Sequence, residues 1–270
     1  MSSGIWIYAL AASAVAIVTF YMLFFHDSSK LLIAEFLALI LILWLLILGY
    51  IREWQRKWID YRFLAERFRV SIFLCLAGLS CKIPKLPPFL DTPHLQDDWT
   101  LRLFSSIFNC RPQIHPDIPI DSLKKFLEEA WIDDQISFYK NASKRHGNSH
   151  KKYEQSGTLL FVLTVVVATI HAFGETFLRS DFSLNILVSL AIILPTASAA
   201  LAGIRVHREY LRNAERYSHM ARYLSAIKEK IQKASDKKEL EFILEELNEM
   251  IFLENWDWRA ALWLRKTEAP

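Results

Sequence analysis

Three groups of residues have the types and spacing for chemistry. The first is ionisable groups inside apolar runs. Glu35 stands in an otherwise apolar stretch, and His171, Glu175 and Arg179 recur every four residues, which places them on one face of a helix. An ionisable side chain in hydrocarbon costs several kcal/mol, roughly 2.5–3.5 on insertion scales, unless it meets water or a partner. Glu35, His171 and Glu175 therefore point into a bundle. There they line a polar path or hold neighbouring helices together by ion pairs, and the sequence leaves both open. The second group is His146 and His150, an i, i+4 pair with the spacing to hold a metal. They lie in the basic run 144–152, where two solvated histidines are the plainer reading. The third is Cys75, Cys81 and Cys110, which have no metal-ligand spacing and read as reduced thiols. There is no G-x-S-x-G, no H-E-x-x-H and no glycine loop to cradle phosphate. Neither catalysis nor a metal or cofactor is expected.

The elements that position these groups follow from composition. The chain has 270 residues and is 53% apolar yet 23% charged, so very apolar segments alternate with very polar ones. Net charge is only +3, which does not suggest a nucleic-acid binder. A spanning helix needs about 20 apolar residues. Four segments qualify: 4–25, 31–51, 158–178 and 183–206. A signal peptide fits the first poorly, because no basic region precedes it and its apolar run is long. Lys and Arg are sparse at the two hairpin tips and dense on the other flanks, at Arg52, Arg56, Lys57, Lys151, Lys152, Arg205 and Arg208. The positive-inside rule then places both termini and the middle segment in the cytoplasm, in a multi-pass inner (plasma) membrane protein. Pro195 interrupts the fourth span, and small residues follow it four apart, Ala199 with Gly203 and Ser198 with Ala202. Such rows let helices approach closely in lipid, within one chain or between copies.

The expected organisation is a first hairpin at 1–51, a cytoplasmic amphipathic helix at 52–81, a proline-rich insert at 82–120, a cytoplasmic helix at 121–157, a second hairpin at 158–206 and C-terminal helices at 207–270. Trp54, Trp58, Tyr61, Ala65, Phe68, Ile72, Cys75 and Leu79 recur at steps of four and three, which predicts a heptad seam. Tyr210, Ala214, Tyr217, Ala221 and Leu224 repeat that register. Both read Y-x-x-x-A-E-R-aromatic at an offset of 149, and this suggests an internal duplication whose two helices pack through Ala65 and Ala214. Arg62, Glu66 and Arg69 can pair along the first helix, and Glu215 and Arg216 follow on the second. Seven of the nine prolines fall in the insert, which predicts irregular chain around a short helix at 97–108. Asp121 is expected to cap the next helix. Asp236 and Glu239 are expected to form a capping box for the last helix, which carries the stripe Leu240, Leu244, Leu247, Ile251, Trp258 and Leu262.

The run from Trp58 to Arg69 directly after a two-span hairpin resembles the SLATT-type families, the bacterial transmembrane effector domains associated with SMODS nucleotide synthases and SLOG sensors. The resemblance covers residues 31–80 well and 158–266 loosely. It implies a pore-forming or membrane-perturbing effector of antiviral defence, triggered by a partner protein or a nucleotide signal. The chain departs from it in having four spans and no recognisable sensor domain.

An all-α membrane protein is therefore expected: four spans extended into a cytoplasmic helical bundle, homo-oligomeric in the lipid, without nucleic acid as a partner. Trp58, Tyr61, Arg62, Ala65, Glu66, Arg69, Tyr210, Ala214, Glu215 and Arg216 would couple the bundle to the spans. The alternative is a non-conducting membrane scaffold that recruits a soluble partner through the cytoplasmic helices.

Overall fold

A computed structural model describes residues 3–25, 29–52, 54–78, 98–110, 118–174 and 180–264. Every regular element among them is helical. The chain divides into two compact units, Met1–Glu53 with Asn141–Tyr217 and Trp54–Lys140 with Ser218–Pro270. Four helices are long and apolar enough to cross a membrane.

The first unit contains α1 (Ser3–Phe24), α2 (Ser29–Arg52), most of α6 (Asp133–Gly174), α7 (Asp181–Arg208) and the start of α8 (Tyr210–Lys233). Lipid tails are as apolar as leucine, so packing between spans needs small residues and hydrogen bonds. Both are present where α1 runs antiparallel to α7. At one end the Tyr8 ring lies over Gly203, so close that a Cβ there would stand 2.5 Å from a ring carbon. At the other, the Asn185 side-chain amide donates to the Leu23 carbonyl at 2.9 Å, and Phe24 meets Phe182 edge-on. Between these ends Ala14, Thr19 and Ser189 are buried. The Ser198 hydroxyl donates to the Gly157 carbonyl and ties α7 to α6. The expected row of small residues therefore splits: Ser198 and Gly203 face neighbouring helices, whereas Ala199 and Ala202 are exposed. Pro195 sits inside α7 without ending it. α2 packs on α1 through one half-buried stripe, Leu31, Glu35, Ala38, Ile42, Leu45 and Leu48.

α6 runs unbroken through Gly147 for 42 residues, about 63 Å at 1.5 Å per residue. It follows α5 (Ile120–Leu127) through one wide π-helical turn, Glu128–Ile132. That turn buries Trp131, whose ring stacks on Phe73 at 5.0 Å. Asp121 does not cap α5: Pro119 holds the cap position and Asp121 lies in the first turn, 3.9 Å from Lys124.

The second unit contains α3 (Trp54–Leu76), α4 (Trp99–Asn109), α5, the rest of α8 and α9 (Lys237–Leu264). α3 packs against α9 and α4. Its buried face is Ile59, Asp60, Phe63, Arg67, Val70, Ser71, Leu74 and Ala77. The expected seam is on the opposite side: Tyr61 is 62% exposed and Ile72 56%, and Trp58 and Ala65 are also exposed. Apolar spacing alone chose the wrong face, because the true one carries two charged residues, Asp60 and Arg67, that the fold buries. At matched positions of the two halves, Ala65 is exposed whereas Ala214 is buried, so the repeated signature does not mark equivalent packing.

Arg259 of α9 neutralises one set of charges. Its guanidinium donates to Asp60 at 2.9 and 3.0 Å, pairs with Asp98, and lies 4.9 Å from the Phe63 ring centre. All three charged groups are at most 6% exposed. Asp98 also caps α4 by accepting from the Thr100 amide and hydroxyl. Arg67 lies between the Phe104 and Phe252 rings, at 4.9 and 4.6 Å, and donates to Asn248 at 3.3 Å. The first bond of the expected capping box of α9 forms, Asp236 accepting from the Glu239 amide, while the Glu239 carboxylate reaches one residue past the cap and accepts from the Ser235 amide. Leu240, Leu244, Leu247 and Ile251 are buried, as is Trp256, while Trp258 meets Trp58 edge-on.

Two outcomes are expected. Gly203→Leu drives a side chain into the Tyr8 ring and should cost about 1–3 kcal/mol, with partial recovery in Gly203→Leu/Tyr8→Ala, read by thermal unfolding in detergent. Arg259→Leu leaves Asp60 and Asp98 buried without their cation and should cost about 3–5 kcal/mol. Burial raises the Asp98 carboxyl, but hydrogen bonds from Arg259 and Thr100 outweigh it and hold the group below its ordinary range. A depressed folded value means that this stabilisation is complete above the ordinary carboxylate range and is lost as pH falls through the depressed value. Acid titration of unfolding should show that loss in the native protein and a flatter limb in Asp98→Asn.

Candidate functional site

A cluster of polar and aromatic contacts lies where α7 ends and α8 begins. The two helices are separated by one residue. Glu209 has φ 47° and ψ 41°, a left-handed conformation that costs an L-residue about 1–2 kcal/mol. Its amide donates to the Val206 carbonyl and its carboxylate pairs with Arg212 at 3.2 Å. The Asn213 amide side chain donates to the Arg208 carbonyl at 3.1 Å, which covers an acceptor left open by the end of α7.

α6 packs alongside this joint. The Ser143 hydroxyl donates to the Ala214 carbonyl at 2.8 Å, and Gly147 lies against the Ala214 methyl. Ala214 therefore makes a close approach to α6. The His146 ring sits 5.9 Å from Tyr210 and 5.4 Å from Tyr217, and Tyr153 stacks on Tyr210 at 5.5 Å. Burial, with Tyr153 beside it, raises the Tyr210 phenol. Glu154 reaches Arg205 at 3.3 Å and lies 3.7 Å from His150. The two histidines thus have aromatic and carboxylate neighbours, and the described residues hold no group of three or more His, Cys, Asp or Glu able to bind a metal.

The remaining expected site residues are scattered. Glu66 pairs with Arg69 at 2.8 Å on an outer face of α3, and Arg62 lies 4.4 Å over the Trp258 ring. Arg212 pairs with Glu209, while Glu215 is exposed and Arg216 half-buried. Glu35 belongs to the stripe facing α1, and among the described residues no ion pair joins it to Lys30 or another cation. His171 is half-buried near the end of α6, while Glu175 and Arg179 lie outside the described residues. Sequence reasoning missed Asp60, Arg67, Asp98, Arg259 and Glu209. For the first four, the available signal was charge recurring within aromatic-rich helices. For Glu209 there was none, since a glutamate ordinarily continues a helix.

Residues 129–258 match the family model described as SMODS and SLOG-associating 2TM effector domain 1, SLATT_1. Over that stretch the chain is similar to SLATT-type effector domains. The stretch runs from the π-helical turn into α9 and includes α6 and α7, two of the four candidate spans. The joint at Glu209 lies within it. α1 to α4 lie outside, including the run from Trp58 to Arg69 that carries the sequence resemblance. No curated protein and no solved structure gives a match. Four apolar helices and a two-span effector domain mark a membrane protein.

If the left-handed backbone at Glu209 is a cost, Glu209→Gly should raise thermal stability by up to about 1 kcal/mol, whereas the β-branched Glu209→Val should lower it. Scanning calorimetry of both variants in one detergent checks this.

Proposed function

We propose that the protein is an oligomeric membrane effector that perturbs or permeabilises the bilayer when its non-membrane helices receive a signal. The observation that carries this reading is the match of an effector domain to a stretch whose two spans, α6 and α7, continue into long polar helices. α7 passes its end to α8 through a single residue, and α6 packs on both sides of that joint. A displacement of α8 would therefore act on two spans together. Glu35, on the inner stripe of α2, is the acid placed to meet water between spans if copies assemble around a path.

The proposal extends to both termini and the helical second unit in the cytoplasm, on the positive-inside distribution of Lys and Arg. It also extends to an inner-membrane location, to a role in bacterial antiviral defence, and to a trigger that is a partner protein or a nucleotide signal. No enzymatic step is assigned. The non-conducting scaffold is the reading that a flux measurement opposes.

Reconstituted full-length protein should release a small entrapped dye or dissipate an ion gradient in vesicles, alone or on addition of a nucleotide second messenger. Glu35→Gln should change the cation-to-anion selectivity of that flux. Intact protein that inserts, assembles and never conducts under these conditions would establish the scaffold instead. Unchanged selectivity in Glu35→Gln would return that residue to a packing role.

A further inference from the structure

We propose that the outer face of α6 holds a soluble, phosphate-bearing anion in a groove between Lys144, Arg145, Asn148 and Lys152. This rests on the reading that the non-membrane helices receive a signal, and gives the chemistry of what α6 would receive.

Helix spacing makes the groove. Asn141, Lys144, Arg145, Asn148, Ser149 and Lys152 recur at i, i+3, i+4, i+7, i+8 and i+11, which places them on one face of α6. They line a shallow groove of about 420 Å³, within the size range of small-ligand sites. Lys144, Arg145 and Lys152 are exposed, and among the described residues no carboxylate pairs with any of them. Glu154, the nearest acid along the helix, is held by Arg205. Three cations without a counter-charge therefore share one groove with two neutral donors, the Asn148 amide and the Ser149 hydroxyl.

Charge selects the ligand. A carboxylate brings one negative charge, whereas a phosphate monoester brings about 1.5–2 and three strong acceptor oxygens. Arg matches two of those oxygens with its planar fork, and Lys adds a compact point charge. A protein partner suits the face poorly. Every exposed residue from Lys140 to Gln155 is polar, whereas a protein interface has an apolar core within its polar rim.

Position separates the groove from lipid headgroups. α6 is one unbroken helix, and Leu159 is the first exposed apolar residue on the way to its span. At 1.5 Å per residue, Lys144 and Arg145 stand about 21–22 Å before it and Lys152 about 10 Å. Headgroups occupy only about 5–8 Å on each side of the hydrocarbon core, and salt screens charges over about 8 Å beyond them. Of the three cations, only Lys152 comes near that level. The opposite face of the same turns carries Ser143 and Gly147, which meet Ala214 of α8. An anion bound in the groove would thus lie across one helix from that contact.

The test titrates full-length protein in neutral detergent with inorganic pyrophosphate, by calorimetry at constant ionic strength. Pyrophosphate should bind once per chain. Arg145→Gln, and separately Lys152→Gln, should weaken binding roughly tenfold through the loss of a charged hydrogen bond. Lys151→Gln removes an equal, exposed charge just outside the groove and should weaken it less than about threefold, since that charge acts only through screened solvent. All three positions are exposed, so circular dichroism should show an unchanged helix content. No binding by the native protein overturns the proposal. So do equal losses in Lys151→Gln and Lys152→Gln, which would leave only a diffuse cationic face. In phosphatidylcholine nanodiscs, adding phosphatidylglycerol should change the affinity less than about fivefold at this distance. Abolished binding there would assign the cations to headgroups, and displacement of pyrophosphate by a glutamate peptide at equal concentration would assign them to an acidic protein. Either result overturns the proposal. Failure of the effector reading looks different: pyrophosphate binds as expected, but the vesicles never leak.

Discussion

The second unit depends on placing arginine where water cannot reach. Arg259 is almost fully buried, and so are both carboxylates it meets. An isolated guanidinium in such a place would be far too costly to hold. The cost is offset only because Asp60 comes from α3, Asp98 from the cap of α4 and the cation from α9, so the three helices must meet in one register. Ion pairs of this kind add little net stability over an apolar core of the same shape. They add a penalty for every other arrangement, because a one-turn slip of α9 along α3 would strand a charge. Arg67 repeats the logic further along the same pair of helices, with two phenyl faces and Asn248 around it.

The first unit follows a different rule, set by its solvent. Its helices present apolar side chains outward, and burial of apolar surface cannot sort them in lipid. Specificity comes from close approach and from hydrogen bonds: Tyr8 over Gly203, Asn185 to the Leu23 carbonyl, Ser198 to the Gly157 carbonyl. α7 takes part in all three. It also ends in the left-handed Glu209, where a span becomes a polar helix without a loop to absorb movement. The effector-domain match covers α6, α7 and this joint and leaves out α1 and α2. α1 of the first hairpin packs on α7, the second candidate span of the matched stretch.

Much of the architecture was legible in the residues, for reasons that differ between elements. The spans announce themselves because about 20 apolar residues in a row have few other uses. The start of α9 was readable because Asp236 and Glu239 satisfy helix-end amides locally, at the spacing the helix imposes. The seam of α8 was readable because Ala214, Tyr217, Ala221 and Leu224 lie on an apolar face that is in fact buried. The same periodicity misled on α3. Its apolar stripe and its buried face are different, and the buried one contains Asp60 and Arg67, which no scale of hydrophobicity would place inside. The resemblance between Tyr61-Ala65 and Tyr210-Ala214 therefore joined an exposed surface to a buried one.

The sequence by itself determined that the protein is helical and that four segments suit a membrane. These follow from composition and from spacing along single helices. Only the tertiary structure decided which face of α3 is inside, that Arg259 binds two aspartates from distant parts of the chain, that Ala214 packs on α6, and that one left-handed residue joins α7 to α8. Each of these depends on where a partner far away in sequence stands. A buried charge and an exposed one look alike until that partner is known.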